Sequence, residues 1–234
     1  MKLNEYYFSE YYHQFLTIEA DVLTDRFSDR IEVTEEDCYA LCSGFVNEEG
    51  MAAFAVLSIG PSWEHCTKGL EQEDMLGFLT MEEVEEKEAR LVEADLDMVE
   101  KNDLFLESAE PDVDETLYDL RLNGILDGMR DILYPDVVPA QMLSWDGFET
   151  YAVELQGMQA QFVYGTVEES LDEGDTLAEG DTVWMVPASI EEDPALIIVY
   201  SGEHMTDEIM EQMQIFLDAL PREDEAAAES VLPN

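Results

Sequence analysis

The sequence predicts an α+β fold, with a helical N-terminal half followed by an antiparallel β-meander with a C-terminal helix. Apolar residues recur at helical spacing before Pro135, short β-type runs follow Pro139, and a capped amphipathic segment comes after those runs. We therefore expect a mainly helical acidic region over 1–135, a β-meander plus helix over 140–221, and a disordered acidic tail over 222–234.

The first third of the chain predicts helices and one ambiguous segment. Aromatic and aliphatic residues at helical spacing predict a helix over 4–29. Thr34 is expected to cap a short helix that holds Cys38 and Cys42. The apolar run over 51–59 fits a buried strand or a buried helix turn, because a run without polar positions shows no period.

Two longer helices are predicted from their capping residues. Thr80 and Glu83 form the pattern of a capping box, in which a hydroxyl and a carboxylate bind each other's free backbone N–H groups. This helix is expected to extend to about Ala109, and a second helix to follow over 112–133 and end at Pro135. The apolar stripe of the first helix consists of Val84, Leu91, Val92, Leu96, Val99 and Leu106.

The second half of the chain predicts strands, because β-branched and aromatic residues cluster in short runs separated by Gly or Pro. Thr206 is then expected to cap a final helix that ends at Pro221. The predicted strand segments are 151–155, 161–166, 182–186 and 195–200.

A six-residue segment is repeated almost unchanged between two of these strands, as Leu171–Thr176 and Leu177–Thr182. The repeat predicts two successive tight turns, with Gly174 and Gly180 at positive φ. Such turns would present carboxylates on a protruding loop, where they could meet a basic partner. These candidate binding residues are Asp172, Glu173, Asp175, Glu179 and Asp181.

The charge of the chain is its most informative property. Ten Lys and Arg face 57 Asp and Glu, which leaves a formal net charge of -47. Because 46% of the residues are apolar, the chain is expected to fold with its excess charge on the outside. Such a surface repels nucleic acid and anionic membranes and attracts basic proteins, of which nucleic-acid-binding grooves are the most strongly basic.

Enzyme and metal motifs are missing from the sequence, so we expect a non-enzymatic protein without a cofactor or a metal. Cys38 and Cys42, with His65 and Cys66, could ligate zinc, but the short C-x-x-C spacing is absent and core packing is favoured. Three Cys without a disulfide spacing, no signal peptide and no long apolar run predict a soluble cytoplasmic protein.

The predicted helix that begins at Met81 is the main candidate for binding. A helix of about 30 residues is roughly 45 Å long, so its eleven carboxylates lie about 4 Å apart along the axis. One DNA strand carries a phosphate about every 3.4 Å. The carboxylates are Glu82, Glu83, Glu85, Glu86, Glu88, Glu93, Asp95, Asp97, Glu100, Asp103 and Glu107.

These features predict an acidic DNA mimic, phage-encoded, that occupies the groove of a basic nucleic-acid-binding protein and blocks it. The target would be a restriction enzyme, a CRISPR effector, RNA polymerase or a nucleoid protein. No direct binding to nucleic acid or membrane is expected, and a homodimer is compatible with the sequence.

Two alternatives stay open. The first is an immunity or chaperone-like binder of one specific basic protein. The second is a halophilic protein of unrelated function, which the 35 Glu against 22 Asp and the 12 Met argue against.

Overall fold

The structure, a computed structural model, is mostly β and contains an antiparallel sheet of five strands and a closed barrel of five strands. The prediction of a helical N-terminal half is wrong, because three long segments of that half are extended and pair with one another. The described residues are 1–29, 32–34, 36–66, 76–93, 99–100, 102, 106, 110–145, 147–172, 176–190 and 193–219.

The N-terminal sheet has the strand order β4-β3-β2-β1-β5, and every neighbouring pair is antiparallel. Its strands are β1 (Phe15–Glu19), β2 (Tyr39–Val46), β3 (Ala52–Gly60), β4 (Gly77–Thr80) and β5 (Ala89–Leu91). Short helices connect or flank them: α1 (Phe8–Tyr11), α2 (Leu23–Phe27), α3 (Trp63–Cys66) and α4 (Met81–Val84), with a 3-10 turn at Leu3–Glu5.

Burial on both faces explains why the sequence left β3 ambiguous and predicted a helix in place of β2. Phe54 and Val56 pack against the short helices on one face, whereas Leu41 and Leu57 pack with Cys66 on the other. A strand covered on both faces has no polar positions to reveal a period of two. The run over 51–59 is therefore a strand, and the predicted helix around Cys38 and Cys42 is wrong.

The long helix predicted from Met81 to Ala109 is also wrong. The capping box is confirmed, since the Thr80 backbone N–H donates to Glu83 at 2.9 Å. The helix ends at Val84, however, and the chain turns into β5, which pairs with β1. Further on, Val99, Glu100, Asn102 and Leu106 are helical, and the other residues of 94–109 lie outside the described residues.

The next helix is shorter than the sequence predicts. Helix α5 spans Glu115–Leu122, and Asp114 caps it by accepting a hydrogen bond from the Thr116 backbone N–H at 2.9 Å. A 3-10 turn at Gly124–Leu126 follows. The predicted continuation to residue 133 is wrong because irregular turns begin after that segment.

The barrel consists of β6 (Val137–Ser144), β7 (Gly147–Gln159), β8 (Phe162–Ser170), β9 (Thr182–Ile190) and β10 (Asp193–Ser201). Successive strands are antiparallel, and a parallel pairing of Leu196 with Ala140 joins β10 to β6 and closes the barrel. The four predicted strand segments fall in β7, β8, β9 and β10, with 161–166 beginning one residue before β8, but β6 was not predicted and the sheet is not an open meander. Leu120 of α5 packs into the barrel core.

One outer side of the barrel is covered by the last helix, α6 (Asp207–Ala219). Ile209 and Met213 pack there against Phe162 and Trp184 of the strands. The predicted cap is confirmed, because Thr206 Oγ1 accepts a hydrogen bond from the Ile209 backbone N–H at 3.3 Å. The predicted tail over 222–234 lies outside the described residues.

Candidate functional site

The predicted carboxylates that the structure describes do not lie along one helix, because the helix that begins at Met81 has only four residues. Glu82 and Glu86 are exposed, Glu83 and Glu85 are half-buried, and Glu88 and Glu93 are exposed on either side of β5. Glu100 is also exposed. Asp95, Asp97, Asp103 and Glu107 lie outside the described residues.

The repeated loop after β8 is only partly described. Gly180 has φ +90°, as its predicted turn requires. Asp172 accepts a hydrogen bond from the Thr150 backbone N–H at 2.7 Å, and Asp181 accepts one from the Ala178 backbone N–H at 2.8 Å. Glu179 is exposed, whereas Glu173, Gly174 and Asp175 lie outside the described residues. Asp181 therefore stabilises a turn of the loop, and Asp172 ties the loop to β7.

The cations on the described surface are already engaged. Lys2 pairs with Glu86, Arg26 with Glu83 at 3.1 Å, and Lys87 with Asp21 at 2.9 Å. Arg90 stacks on the Trp63 ring, with its guanidinium carbon 4.5 Å from the ring centroid.

Hydrogen bonds and charges from these partners lower the pKa of Glu86 and Asp21. Among the described residues, many other carboxylates face solvent without a cation, on both the sheet and the barrel. They include Glu10, Glu48, Glu49, Asp119, Asp131, Glu168, Glu169, Asp193, Glu203 and Glu208.

A buried network of charges joins the N-terminal sheet to the barrel. Arg121 of α5 donates to Glu110 at 2.8 Å, to the Tyr12 hydroxyl at 3.0 Å, and to Asp136 at 2.7 Å. His13 contacts the other oxygen of Glu110 at 2.5 Å. Because Tyr12 and His13 precede β1 and Asp136 precedes β6, this network links the two sheets.

The environment of Glu110 and Arg121 favours the charged form of each. Burial acts to raise the pKa of the Glu110 carboxyl, but the hydrogen bond and charge of His13, together with the charge of Arg121, lower it overall. Burial likewise acts to lower the pKa of Arg121, and Asp136 outweighs it, so that pKa is raised. Arg121 is only 3% exposed, so a substrate cannot reach it. The network therefore joins the N-terminal sheet to the barrel through buried charged groups.

The outer side of β6, β7 and β8 carries an open groove of about 590 Å³. Val137, Pro139 and Leu171 contribute apolar surface to it, and Glu168 and Glu169 add carboxylates. The register shift between Ala152 and Val153 leaves Glu168 as an extra residue in β8, a β-bulge. This groove was not predicted from the sequence, since it depends on the pairing of three strands.

The tip of the β6–β7 hairpin exposes large apolar side chains. Trp145 has 103% of its reference exposure, Leu143 70% and Phe148 52%. Large apolar groups clustered at the surface mark interaction sites more often than single exposed residues do. The sequence does contain a signal for this exposed tip, because a Trp stands between Ser144 and Gly147 at a turn, where packing of the barrel core does not require it.

The cysteines pack in the interior or near it. Cys42 and Cys66 are buried, Cys38 is half-buried, and all three are free thiols. Within the described ranges, no group of three or more His, Cys, Asp or Glu side chains is placed to hold a metal ion.

Among the same residues, none of the helices has the length and apolar character needed to cross a bilayer. Comparison with protein-family models, with curated proteins and with solved structures gives no match for this chain.

Proposed function

We propose that this chain is a non-enzymatic acidic protein that binds a basic nucleic-acid-binding protein and blocks its nucleic-acid groove. One observation carries the proposal: the described surface cations are engaged by carboxylates or by Trp63, whereas most carboxylates around them face solvent alone. A folded body with net charge -47 has a field that attracts basic grooves.

The contact cannot rest on a straight acidic helix, since that helix is not formed. The exposed carboxylates are instead distributed over loops and strand edges of the sheet and barrel. Binding of this kind gains free energy from the release of counterions, as binding of phosphates does. We therefore infer a broad electrostatic contact that competes with nucleic acid for one groove.

The test is elution of captured proteins by nucleic acid. The full chain is immobilised, a cell lysate is applied at about 50 mM salt, and duplex DNA is added at constant ionic strength. Duplex DNA should release the retained proteins, whereas a neutral polysaccharide at the same mass should not. If the retained proteins stay on the column and also bind the DNA, the chain and the DNA do not compete for one groove, and the proposal is wrong. It is also wrong if the column retains no basic proteins.

A charge-reduced variant provides the matched control. Glu82→Gln, Glu93→Gln, Glu100→Gln and Glu179→Gln together remove four exposed charges that make no described ion pair. This variant should retain less protein and release it at lower salt. Equal retention would show that the charge is not what binds.

A second candidate function, an immunity or chaperone-like binder of one basic protein, is favoured by the exposed apolar tip around Trp145. A protein that binds through an apolar anchor holds its partner in one defined pose, whereas a protein that binds through charge alone can bind many basic grooves. The number of distinct proteins released by DNA separates the two: several for the mimic, one for the specific binder.

A further inference from the structure

Strand register places the groove and the hairpin tip on one continuous surface. Pro139 pairs with Ala152, which pairs with Glu169, and nearer the tip Leu143 pairs with Phe148. Side chains two residues apart on a strand share a face. Val138, Ala140, Tyr151 and Val153 fill the barrel core. The residues that alternate with them along β6 and β7, such as Pro139 and Ala152, therefore point outward. We call this surface the β6–β8 face, which consists of residues 139, 141, 143, 145, 148, 150, 152, 168, 169 and 171.

The β6–β8 face combines an apolar strip with an acidic border. Trp145, Leu143 and Phe148 form one end of the strip, and Leu171 is also 52% exposed beside the groove. Glu168 and Glu169 of the bulge border it, and Asp131 lines the groove from the loop before β6. Burial and the charges of Glu168 and Asp136 raise the pKa of neighbouring Glu154, consistent with carboxylates crowded along this side.

The barrel has a second outer side for comparison, and there α6 covers the apolar residues. Met213 and Ile209 seal Trp184 and Phe162, which are 5% and 1% exposed. No described residue performs that role for Trp145, which is fully exposed. Both outer sides of the barrel therefore carry large apolar side chains, but only the side beneath α6 is covered.

We propose that the β6–β8 face docks an extended segment of a basic partner in which cationic and apolar side chains alternate. The inference rests on the proposed function, that the chain binds a basic protein, and adds one defined docking surface to the broad electrostatic contact. Charge complementarity selects this occupant: Lys or Arg heads would meet Glu168, Glu169 and Asp131, while apolar side chains cover the strip.

Like charge opposes the other occupants. A second copy of the chain would bring the same carboxylates against themselves, at a net charge of -47 on each copy. The C-terminal segment of this chain carries Glu223, Asp224, Glu225 and Glu229, so its charge also disfavours docking there. A basic segment with apolar residues meets both requirements of the surface.

The test uses the full chain and two labelled 12-residue peptides of equal charge, followed by fluorescence anisotropy. One peptide alternates Lys with Leu, and the other alternates Lys with Ser. The Lys-Leu peptide should bind at least about tenfold more tightly, because only it can cover the strip. Trp145→Ser should weaken the Lys-Leu peptide by about tenfold, as expected for an aromatic anchor, and leave the Lys-Ser peptide unchanged.

Two control variants separate this face from the rest of the surface. Ile215→Ser removes another apolar side chain, 64% exposed on α6, and should leave both peptides unchanged. Glu168→Gln with Glu169→Gln should weaken both peptides more than Glu48→Gln with Glu49→Gln, an exposed pair in the β2–β3 turn. Circular dichroism verifies that each variant is folded.

The outcomes distinguish a failure of the docking surface from a failure of the proposed function. Equal effects of Trp145→Ser and Ile215→Ser on the Lys-Leu peptide would overturn the docking surface, while salt-sensitive binding of both peptides would leave the proposed function standing. If neither peptide binds at about 50 mM salt, the proposed function fails as well. If the chain self-associates through Trp145 in sedimentation, a second copy is the occupant and the docking proposal is wrong.

Discussion

Arg121 donates two hydrogen bonds to a single oxygen of Asp136, from Nε at 3.0 Å and from Nη2 at 2.7 Å. Both residues are buried, and Arg130 approaches the other oxygen of Asp136 at 3.4 Å. Two of the ten basic residues of this very acidic chain therefore lie in its interior. There they join α5 to the start of β6 and do not neutralise the surface.

Arg121→Met should destabilise the protein strongly. The substitution leaves Asp136 with a weaker partner and Glu110 without its arginine, and breaking a buried ion pair costs about 3–5 kcal/mol. The measurement is the free energy of unfolding from urea denaturation at neutral pH. Arg26→Met is the control, because Arg26 pairs with Glu83 nearer the surface and such pairs contribute about 0–1 kcal/mol. Equal losses in the two variants would contradict an energetic role for the buried network.

Two carboxyls should give opposite pH dependence. The folded pKa of Glu110 lies below its usual value of 4.5, so its contribution to stability is present above pH 4.5 and lost as pH falls further. Burial raises the folded pKa of Glu154, so its effect is a gain in stability as pH falls toward 4.5.

These signs are tested by measuring the free energy of unfolding against pH for the unsubstituted chain, for Glu110→Gln and for Glu154→Gln. Glu110→Gln should flatten the loss below pH 4.5, relative to the unsubstituted chain. Glu154→Gln should flatten the gain above that pH and leave the acid side unchanged. The reverse assignment of slopes would show that His13 and Arg121 do not hold Glu110 in its charged form.

The cap at Thr80 shows what sequence could and could not predict. The pairing of Thr80 with Glu83 was correctly predicted, because a capping box is a local interaction. A cap marks where a helix begins and not how far it extends. Leu91 fitted the helical stripe, yet it is 48% exposed on β5, where pairing with β1 overrides the local pattern.

The candidate surfaces were predictable to different degrees. Net charge requires only counting, so an acidic exterior follows from composition. The β6–β8 face depends on Pro139 lying beside Ala152 and Glu169, and such pairings between strands leave no mark in local periodicity. Strand β6 itself is not predicted, because it contains Pro139, and a proline is typical of a boundary between elements rather than of a strand interior.

Only one cysteine should react quickly in the native protein. Burial raises the pKa of the Cys66 thiol to about 12, and burial also raises that of Cys42. A thiol that stays protonated and covered is a poor nucleophile. Titration with a disulfide reagent at pH 8 should therefore give one fast thiol, lost in Cys38→Ser, and two more on unfolding. Fast reaction of Cys66 would mean that α3 opens readily from the sheet.

Salt should stabilise this fold. The described surface offers few ion pairs to screen, those of Lys2, Arg26 and Lys87, whereas repulsion acts among many exposed carboxylates. Salt at about 0.1 M limits charge interactions at the surface to about 10 Å, which removes most of that repulsion. Screening should therefore weaken repulsion more than attraction, and the melting temperature should rise between about 20 and 300 mM NaCl.

The variant with Gln at positions 82, 93, 100 and 179 tests the cause of that rise. Removing four like charges should raise the melting temperature at low salt and make it less dependent on salt. Each kcal/mol of added stability corresponds to about 2–4 °C in a chain of this size. A melting temperature that falls as salt is added would show that local ion pairs outweigh the repulsion. A chain that is unfolded in dilute buffer and folds only above about 1 M salt, where charges are screened beyond about 3 Å, would instead favour the halophilic alternative, because its acidic surface would then serve solvation and not a partner.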